Sequence, residues 1–123
     1  MVHAVCFRDG RVSYIRRWVR TRARRDEIEQ GRVTLSGIMG PFELARGGEG
    51  ARGMNPDYCK DTSNTTLTWH NGRVLSQWYN AGRTYALDPL TLDTLADETF
   101  DGGVEATLNP NPKCDPRTGE LLD

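Results

Sequence analysis

Two short turn sequences, Asp9-Gly10 and Asn71-Gly72, constrain the fold of this chain more than any other feature. Asp-Gly and Asn-Gly pairs accept the positive φ angles of a two-residue type I′ turn, whose twist suits antiparallel strands. Each pair separates two stretches rich in β-branched and aromatic residues: residues 2–7 and 12–19 around the first, and residues 66–70 and 73–79 around the second. The sequence therefore predicts two β-hairpins.

The first strand of the second hairpin alternates in polarity. Leu67 and Trp69 fall on one face, whereas Thr66, Thr68 and His70 fall on the other. A period of two is typical of a strand with one face buried and one face exposed. We expect a half-buried strand here.

A second kind of turn also occurs twice. Asp88-Pro89 follows a strand-like stretch, residues 83–87, and Asp115-Pro116 repeats the pattern further on. An Asx side chain can open a turn while Pro sets φ at the next position, so both pairs predict links between strands. Two turn types used twice favour an all-β architecture of repeated sheets, such as propeller blades, although two copies do not define a repeat.

One short helix interrupts the strands. Thr21 is a suitable N-cap for residues 22–30, and Gly31 is placed to end the helix. The apolar face of this helix consists only of Ala23 and Ile28.

Residues 36–54 contain six glycines and no sustained period, so we expect a long loop. Within it, residues 48–53 match G-x-G-x-x-G. No convincing strand precedes this match and no clear helix follows it, so a dinucleotide site is not supported.

A chain of 123 residues is long enough for one small domain, and its net charge is −1. The charge is uneven, because residues 1–25 hold eight arginines and one acid. Six of these arginines lie between Arg16 and Arg25, around Trp18, which is a pattern that can bind nucleic acid. The favoured alternative is that they pair with acids elsewhere in the fold, so no nucleic-acid partner is expected.

Cysteine content and hydropathy indicate the compartment. The chain has Cys6, Cys59 and Cys114, an odd number without C-x-x-C spacing, which favours neither a disulfide framework nor a zinc site. No signal peptide or membrane-spanning run is recognisable, so we expect a cytoplasmic protein with at most peripheral membrane contact.

Candidate catalytic residues are few. His3 and His70 are the only histidines, and their spacing to the cysteines matches no metal site, so both are interpreted as polar surface residues. No G-x-S-x-G elbow is present, and nucleophilic hydrolysis has little support.

Five segments in order resemble the amino-terminal third of the carotenoid cleavage oxygenases, a family that includes carotenoid, apocarotenoid and stilbene dioxygenases and the retinal pigment epithelial membrane protein. The segments are residues 1–5 (MVHAV), 14–21 (YIRRWVRT), 60–65 (KDTSNT) with 69–75 (WHNGRVL), 85–95 (YALDPLTLDTL) and 111–121 (NPKCDPRTGEL). The resemblance implies a seven-bladed β-propeller with Fe(II) on four histidines, which uses O₂ to cleave a conjugated C=C bond of a carotenoid, apocarotenoid or stilbene into two carbonyl products.

The sequence also departs from the pattern of the family that it resembles. Asn111 stands where the family has its first iron-binding histidine, and the other three would lie beyond Asp123. An amide oxygen is harder and less basic than an imidazole nitrogen, so it is a poor substitute as an iron ligand. We therefore expect residues 1–123 to be a single partial domain, the early blades of a propeller, with no catalytic residue and no retained Fe(II).

Two functional hypotheses follow. The first is a fragment of an Fe(II)-dependent oxygenase that is inactive alone. The second is a non-catalytic β-rich interaction module whose open sheet edges pair with another chain or with a second copy.

Overall fold

The computed structural model describes residues 1–35, 37, 60–78, 82–104 and 108–122. Within these residues the chain forms one helix and eight strands in three antiparallel sheets. In chain order the elements are β1 (Val2–Arg8), β2 (Arg11–Arg17), α1 (Arg22–Gln30), β3 (Thr66–His70), β4 (Arg73–Gln77), β5 (Tyr85–Leu87), β6 (Thr94–Asp97), β7 (Lys113–Cys114) and β8 (Leu121–Leu122). The prediction of a strand-rich chain with one short helix is confirmed.

The first predicted hairpin is present as β1 and β2. Asp9 and Gly10 have φ angles of 50° and 70°, as a type I′ turn requires. Strand β2 ends at Arg17 rather than at the predicted residue 19, because Val19 leaves the sheet and is buried in the core.

The two faces of this hairpin differ in environment. One face carries Val2, Ala4 and Ile15, which pack into the core. The opposite face carries the cross-strand pairs Val5 with Tyr14 and Phe7 with Val12, all of them exposed. The hairpin therefore contributes one apolar face to the core and presents a second one to solvent.

The second predicted hairpin forms the first half of a four-stranded sheet in the order β3-β4-β5-β6. Asn71 and Gly72 have φ angles of 47° and 73°, again as a type I′ turn requires. Each strand pairs with its neighbour in sequence, so the sheet is a simple antiparallel meander.

The alternation in β3 is present, but the apolar face is the exposed one. Leu67 is 49% and Trp69 is 60% exposed, whereas the threonines and His70 are half-buried. Since β3 is an edge strand, Leu67 and Trp69 extend past the core, which packs against β4 and β5. Position within the sheet, rather than polarity, therefore decides which face is covered.

The core joins the hairpin to the meander. Its buried members are Val2, Val19, Tyr85, Leu87 and Leu92, with Ala4, Ile15 and Val74 packed against them. The two sheets are therefore held together by side chains from both rather than by a shared hydrogen-bond ladder.

The two Asp-Pro turns have the same geometry, as predicted. Asp88 Oδ1 accepts hydrogen bonds from the backbone N–H groups of Leu90 and Thr91, both at 2.8 Å. Asp115 Oδ1 accepts from Arg117 at 2.7 Å and from Thr118 at 3.4 Å. The backbone N–H groups of Thr91 and Leu90 stabilise the charged carboxylate and lower the pKa of Asp88.

Helix α1 spans the predicted residues and has both predicted caps. Thr21 Oγ1 accepts from Arg24 N at 3.2 Å, and Gly31, with φ of 63°, donates its N–H to Ile28 O at 3.4 Å. Ala23 is buried, but Ile28 is 65% exposed. The helix thus packs through Ala23 and its amino-terminal turn rather than through an apolar stripe.

Two distant side chains complete the amino terminus of α1. Arg22 N donates to Tyr85 Oη at 2.9 Å, and Ala23 N donates to Asp61 Oδ1 at 3.4 Å. The Tyr85 hydroxyl in turn donates to Asp61 Oδ2. Burial, followed by the hydrogen bond and charge of Asp61, raises the pKa of Tyr85 far above its ordinary value of 10.0. These contacts attach the helix to strand β5 and to the segment before β3.

Gly82 makes this arrangement possible. Its φ is +82°, and a Cβ built there would lie 2.1 Å from Asp61 Cβ. A side chain at position 82 would therefore require both a strained backbone and a displaced Asp61.

We predict that Tyr85→Phe destabilises the chain. The substitution removes the hydroxyl that bridges Arg22 N and Asp61, so buried polar groups lose a partner at a cost of about 1–3 kcal/mol. Urea unfolding measures the change in the free energy of unfolding. The matched control is Tyr14→Phe, since the Tyr14 hydroxyl bonds only to the exposed His3 among the described residues, and its cost should stay below about 0.5 kcal/mol.

The same bond gives the wild type an alkaline limit. Because folding raises the pKa of Tyr85, its contribution is complete below pH 10.0 and declines as the pH rises above that value. The decline should be shallower in Tyr85→Phe, and equal alkaline slopes would contradict the role given to this hydroxyl.

Gly82→Ala should be much more destabilising than Gly102→Ala. The two glycines have nearly equal φ angles of +82° and +83°, but a Cβ at position 102 meets nothing within 4 Å. We expect about 1–2 kcal/mol for the strained φ at either position, and about 1–3 kcal/mol more at position 82 for the overlap with Asp61. Equal midpoints in thermal unfolding would show that Asp61 moves away freely.

Candidate functional site

Asn111, the position expected to replace an iron-binding histidine, lies on the surface just before β7. Its side chain is exposed between the buried residues Pro110 and Pro112. Its backbone N–H donates to Asn109 Oδ1 at 3.1 Å, which forms a local turn. Among the described residues, no group of three or more His, Cys, Asp or Glu side chains that could hold a metal ion lies beside it.

The two histidines lie in different sheets. His3 Nδ1 is 2.5 Å from Tyr14 Oη on the exposed face of the first hairpin. His70 lies at the end of β3, with its ring centroid 6.3 Å from that of Phe100. Among the described residues, no group of three or more His, Cys, Asp or Glu side chains could hold a metal ion.

The cysteines and the glycine-rich loop add little to the described site. Cys6 and Cys114 are free and exposed. Cys59 lies outside the described residues, as does the glycine-rich stretch 36–54 except for Gly37. The predictions that concern the loop and its G-x-G-x-x-G match therefore stay predictions.

Sequence reasoning missed a group of buried polar side chains in β4 and beside it. Ser63 and Ser76 hydrogen-bond through their hydroxyls, and Gln77 Oε1 accepts from Thr68 Oγ1 at 3.1 Å. Gln77 Nε2 has no hydrogen-bond partner among the described residues. The one sequence signal was the polar run before β3, which contains Ser63. Because neither serine contacts a described general base, these contacts fix packing rather than activate a nucleophile.

A cavity of about 290 Å³ lies beside the start of α1. The Arg24 guanidinium stacks 4.7 Å from the Trp18 ring centroid, and Lys60 forms an ion pair with Glu27. Burial raises the pKa of Glu27, but the hydrogen bonds from Lys60 and from the backbone of Thr34 outweigh it, and the net shift is downward. The Lys60 and Glu27 charges that line this cavity therefore neutralise each other.

A second cavity of about 500 Å³ lies at the tip of the first hairpin. Its walls are Cys6, Arg8, Asp9, Arg11 and Ser13. Here the paired strands bring two arginines directly opposite each other.

In the part of the chain that the structure describes, no helix is long and apolar enough to cross a membrane.

Known proteins resemble this chain over nearly its whole length. It is 36% identical over 132 residues to an isoeugenol monooxygenase of Pseudomonas nitroreducens, covering 99% of this chain and 24% of the relative. It is 34% identical over 122 residues to resveratrol cleavage oxygenase 1 of Chaetomium globosum, covering 98% of this chain and 19% of the relative. The chain thus spans about a quarter or less of the length of these relatives.

Solved structures agree with these sequence matches. The lignostilbene dioxygenase of Pseudomonas brassicacearum superposes with a TM-score of 0.72 at 32% identity, over 97% of this chain and 23% of that one. A variant of the apocarotenoid oxygenase of Synechocystis gives 0.67 at 29% identity, over 93% and 24%. Residues 1–122 match the family described as retinal pigment epithelial membrane protein. The chain belongs to this family of carotenoid and stilbene oxygenases.

Proposed function

We propose that this chain supplies the early blades of a propeller oxygenase that cleaves a conjugated C=C bond with O₂. The observation that carries the proposal is the four-stranded antiparallel meander β3-β4-β5-β6, which has the strand order of one propeller blade. The relatives that match across almost the entire chain support it. In this proposal residues 1–123 are one partial domain.

The proposed substrate class is an alkene conjugated to aromatic rings or to a polyene. The relatives named above are called isoeugenol, resveratrol and lignostilbene enzymes, and one is an apocarotenoid oxygenase. Each of those names denotes an extended conjugated system, so the whole protein would act on the same kind of bond.

The Fe(II) centre implied by the family does not fit the described residues. Among them no cluster of three potential ligands exists, and Asn111 is an exposed amide whose backbone is engaged in a local turn. We therefore assign no catalytic step to this chain. Its proposed part in the oxygenase is to hold the sheet order and the turns that position neighbouring blades.

We predict near-zero iron in the purified chain after anaerobic incubation with Fe(II) and desalting, because no described cluster supplies enough ligands. Elemental analysis measures the iron. In parallel, product analysis should find no cleavage of isoeugenol or resveratrol under air. Asn111→His should leave both results unchanged, since one imidazole does not make a tight site.

Stoichiometric iron in the wild type would contradict this proposal. In that case His3→Ala and His70→Ala, tested separately, would identify whether either histidine is a ligand. Iron bound only by Asn111→His would mean that further ligands come from residues outside those described or from a second copy.

A second candidate function is a β-rich interaction module. It is favoured by the solvent-facing ladder of Val5, Tyr14, Phe7 and Val12, in which Phe7 is 76% exposed. Exposed apolar patches on a sheet with open edges are characteristic of surfaces that bind another chain.

If this second function holds, the chain self-associates at micromolar concentrations and Phe7→Ser weakens the association at least tenfold, because burying Phe contributes about 1.5–3 kcal/mol. Sedimentation velocity across a concentration series measures the effect. Leu90→Ser is the matched control, since Leu90 is equally exposed but lies in the β5–β6 turn. A monomer at every concentration would remove this candidate.

A further inference from the structure

Two arginines face each other at the tip of the first hairpin. Arg8 and Arg11 are cross-strand partners beside the Asp9-Gly10 turn. Cys6 and Ser13 are the next pair on the same face, because residues two apart along a strand share a face. These four side chains and Asp9 line an open cavity of about 500 Å³, whose charged groups are two arginines and one aspartate.

This pair differs from three arginines of the basic segment, Arg17, Arg24 and Arg25. Arg17 lies 3.6 Å from Asp93 and Arg25 lies 3.5 Å from Asp97, so the expected pairing with acids from later in the chain occurs there. Arg24 stacks on Trp18. Within the described part of the chain, no ion pair involves Arg8 or Arg11, although Asp9 is close by in sequence.

Like charges directly opposite each other on neighbouring strands destabilise a sheet. Near the turn, where strands are held by few other contacts, this repulsion is not offset by packing: Arg8 and Arg11 are both exposed. A bound anion between the guanidinium groups would convert the repulsion into two charge-assisted contacts.

We propose that this cavity, here named the tip pocket, binds a small oxyanion such as a phosphate or carboxylate group. Arg8 and Arg11 would hold it from opposite strands, and the Ser13 hydroxyl would donate a further hydrogen bond. The tip pocket opens on the hairpin face that carries Ala4 and Ile15, away from exposed Phe7. A small soluble anion therefore fits the tip pocket better than a large partner that contacts the outer face of the hairpin.

The test is a titration of the ¹⁵N-labelled full chain with inorganic phosphate, followed by amide chemical shifts, against potassium chloride at matched ionic strength. We expect saturable shifts confined to residues 8–13 with phosphate and none with chloride. Arg8→Gln and Arg11→Gln should each weaken binding about tenfold, since each removes one charged donor.

Arg16→Gln is the matched control. It removes the same charge from the same strand, but Arg16 pairs with His3 on the opposite face. Phosphate binding should be unchanged in this variant. Equal weakening in Arg16→Gln, equal shifts with chloride, or shifts spread across the basic segment as far as Arg25 would each overturn the tip pocket in favour of nonspecific attraction.

A second readout uses the wild type alone. Cys6 lines the tip pocket and Cys114 lies in another sheet, and both thiols are exposed. Phosphate should slow alkylation of Cys6 by the neutral reagent iodoacetamide at least threefold and leave Cys114 unaffected, as read by peptide mass spectrometry. Equal rates at Cys6 with and without saturating phosphate would also overturn the proposal.

Discussion

The hydrogen bonds around the Asp61 carboxylate and the Tyr85 hydroxyl hold three distant parts of the chain together. The partners of these bonds are separated by 63, 38 and 24 residues. The first N–H groups of a helix have no intrahelical partner, and here Tyr85, Asp61 and the Thr21 side chain accept those of Arg22, Ala23 and Arg24. Because α1 buries little apolar surface, this polar contact fixes where the helix lies. Its position then determines where Val19 enters the core between the two sheets.

Some features of this fold could be predicted from the sequence, and others could not. Both type I′ turns, both Asx turns and both helix caps were predictable, because each depends on residues within about six positions and on steric rules that hold in any fold. Asp61 and Tyr85 were not, since nothing local distinguishes a carboxylate that caps a remote helix from one in a loop. The exposed side of β3 was missed for a related reason: alternation identifies two faces, but only the neighbours of an edge strand decide which one is covered.

The two Asp-Pro turns show how tertiary packing overrides local preference. In each turn the residue before the last one has a positive φ angle. In the Asp115 turn it is Gly119 at 77°, where glycine is unstrained. In the Asp88 turn it is Leu92 at 59°, where a leucine is strained. Leu92 is buried with Tyr85 and Leu87, whereas Gly119 lies in an exposed turn. Burying a leucine contributes about 1.5–3 kcal/mol, which matches or exceeds the cost of about 1–2 kcal/mol for the left-handed backbone. A leucine in place of glycine at this position therefore marks the turn that packs against the core.

The candidate functional residues also differ in whether local sequence alone can identify them. Asn111 could be singled out only through the family pattern, because an amide between two prolines has no chemical signal of its own. The structure places it at the surface, and the described residues form no cluster of three or more metal ligands around it. The arginine pair of the tip pocket is the opposite case: hairpin register alone, once the Asp9-Gly10 turn is assigned, requires Arg8 to face Arg11. A cross-strand charge repulsion that needs no distant contact was thus accessible from the sequence.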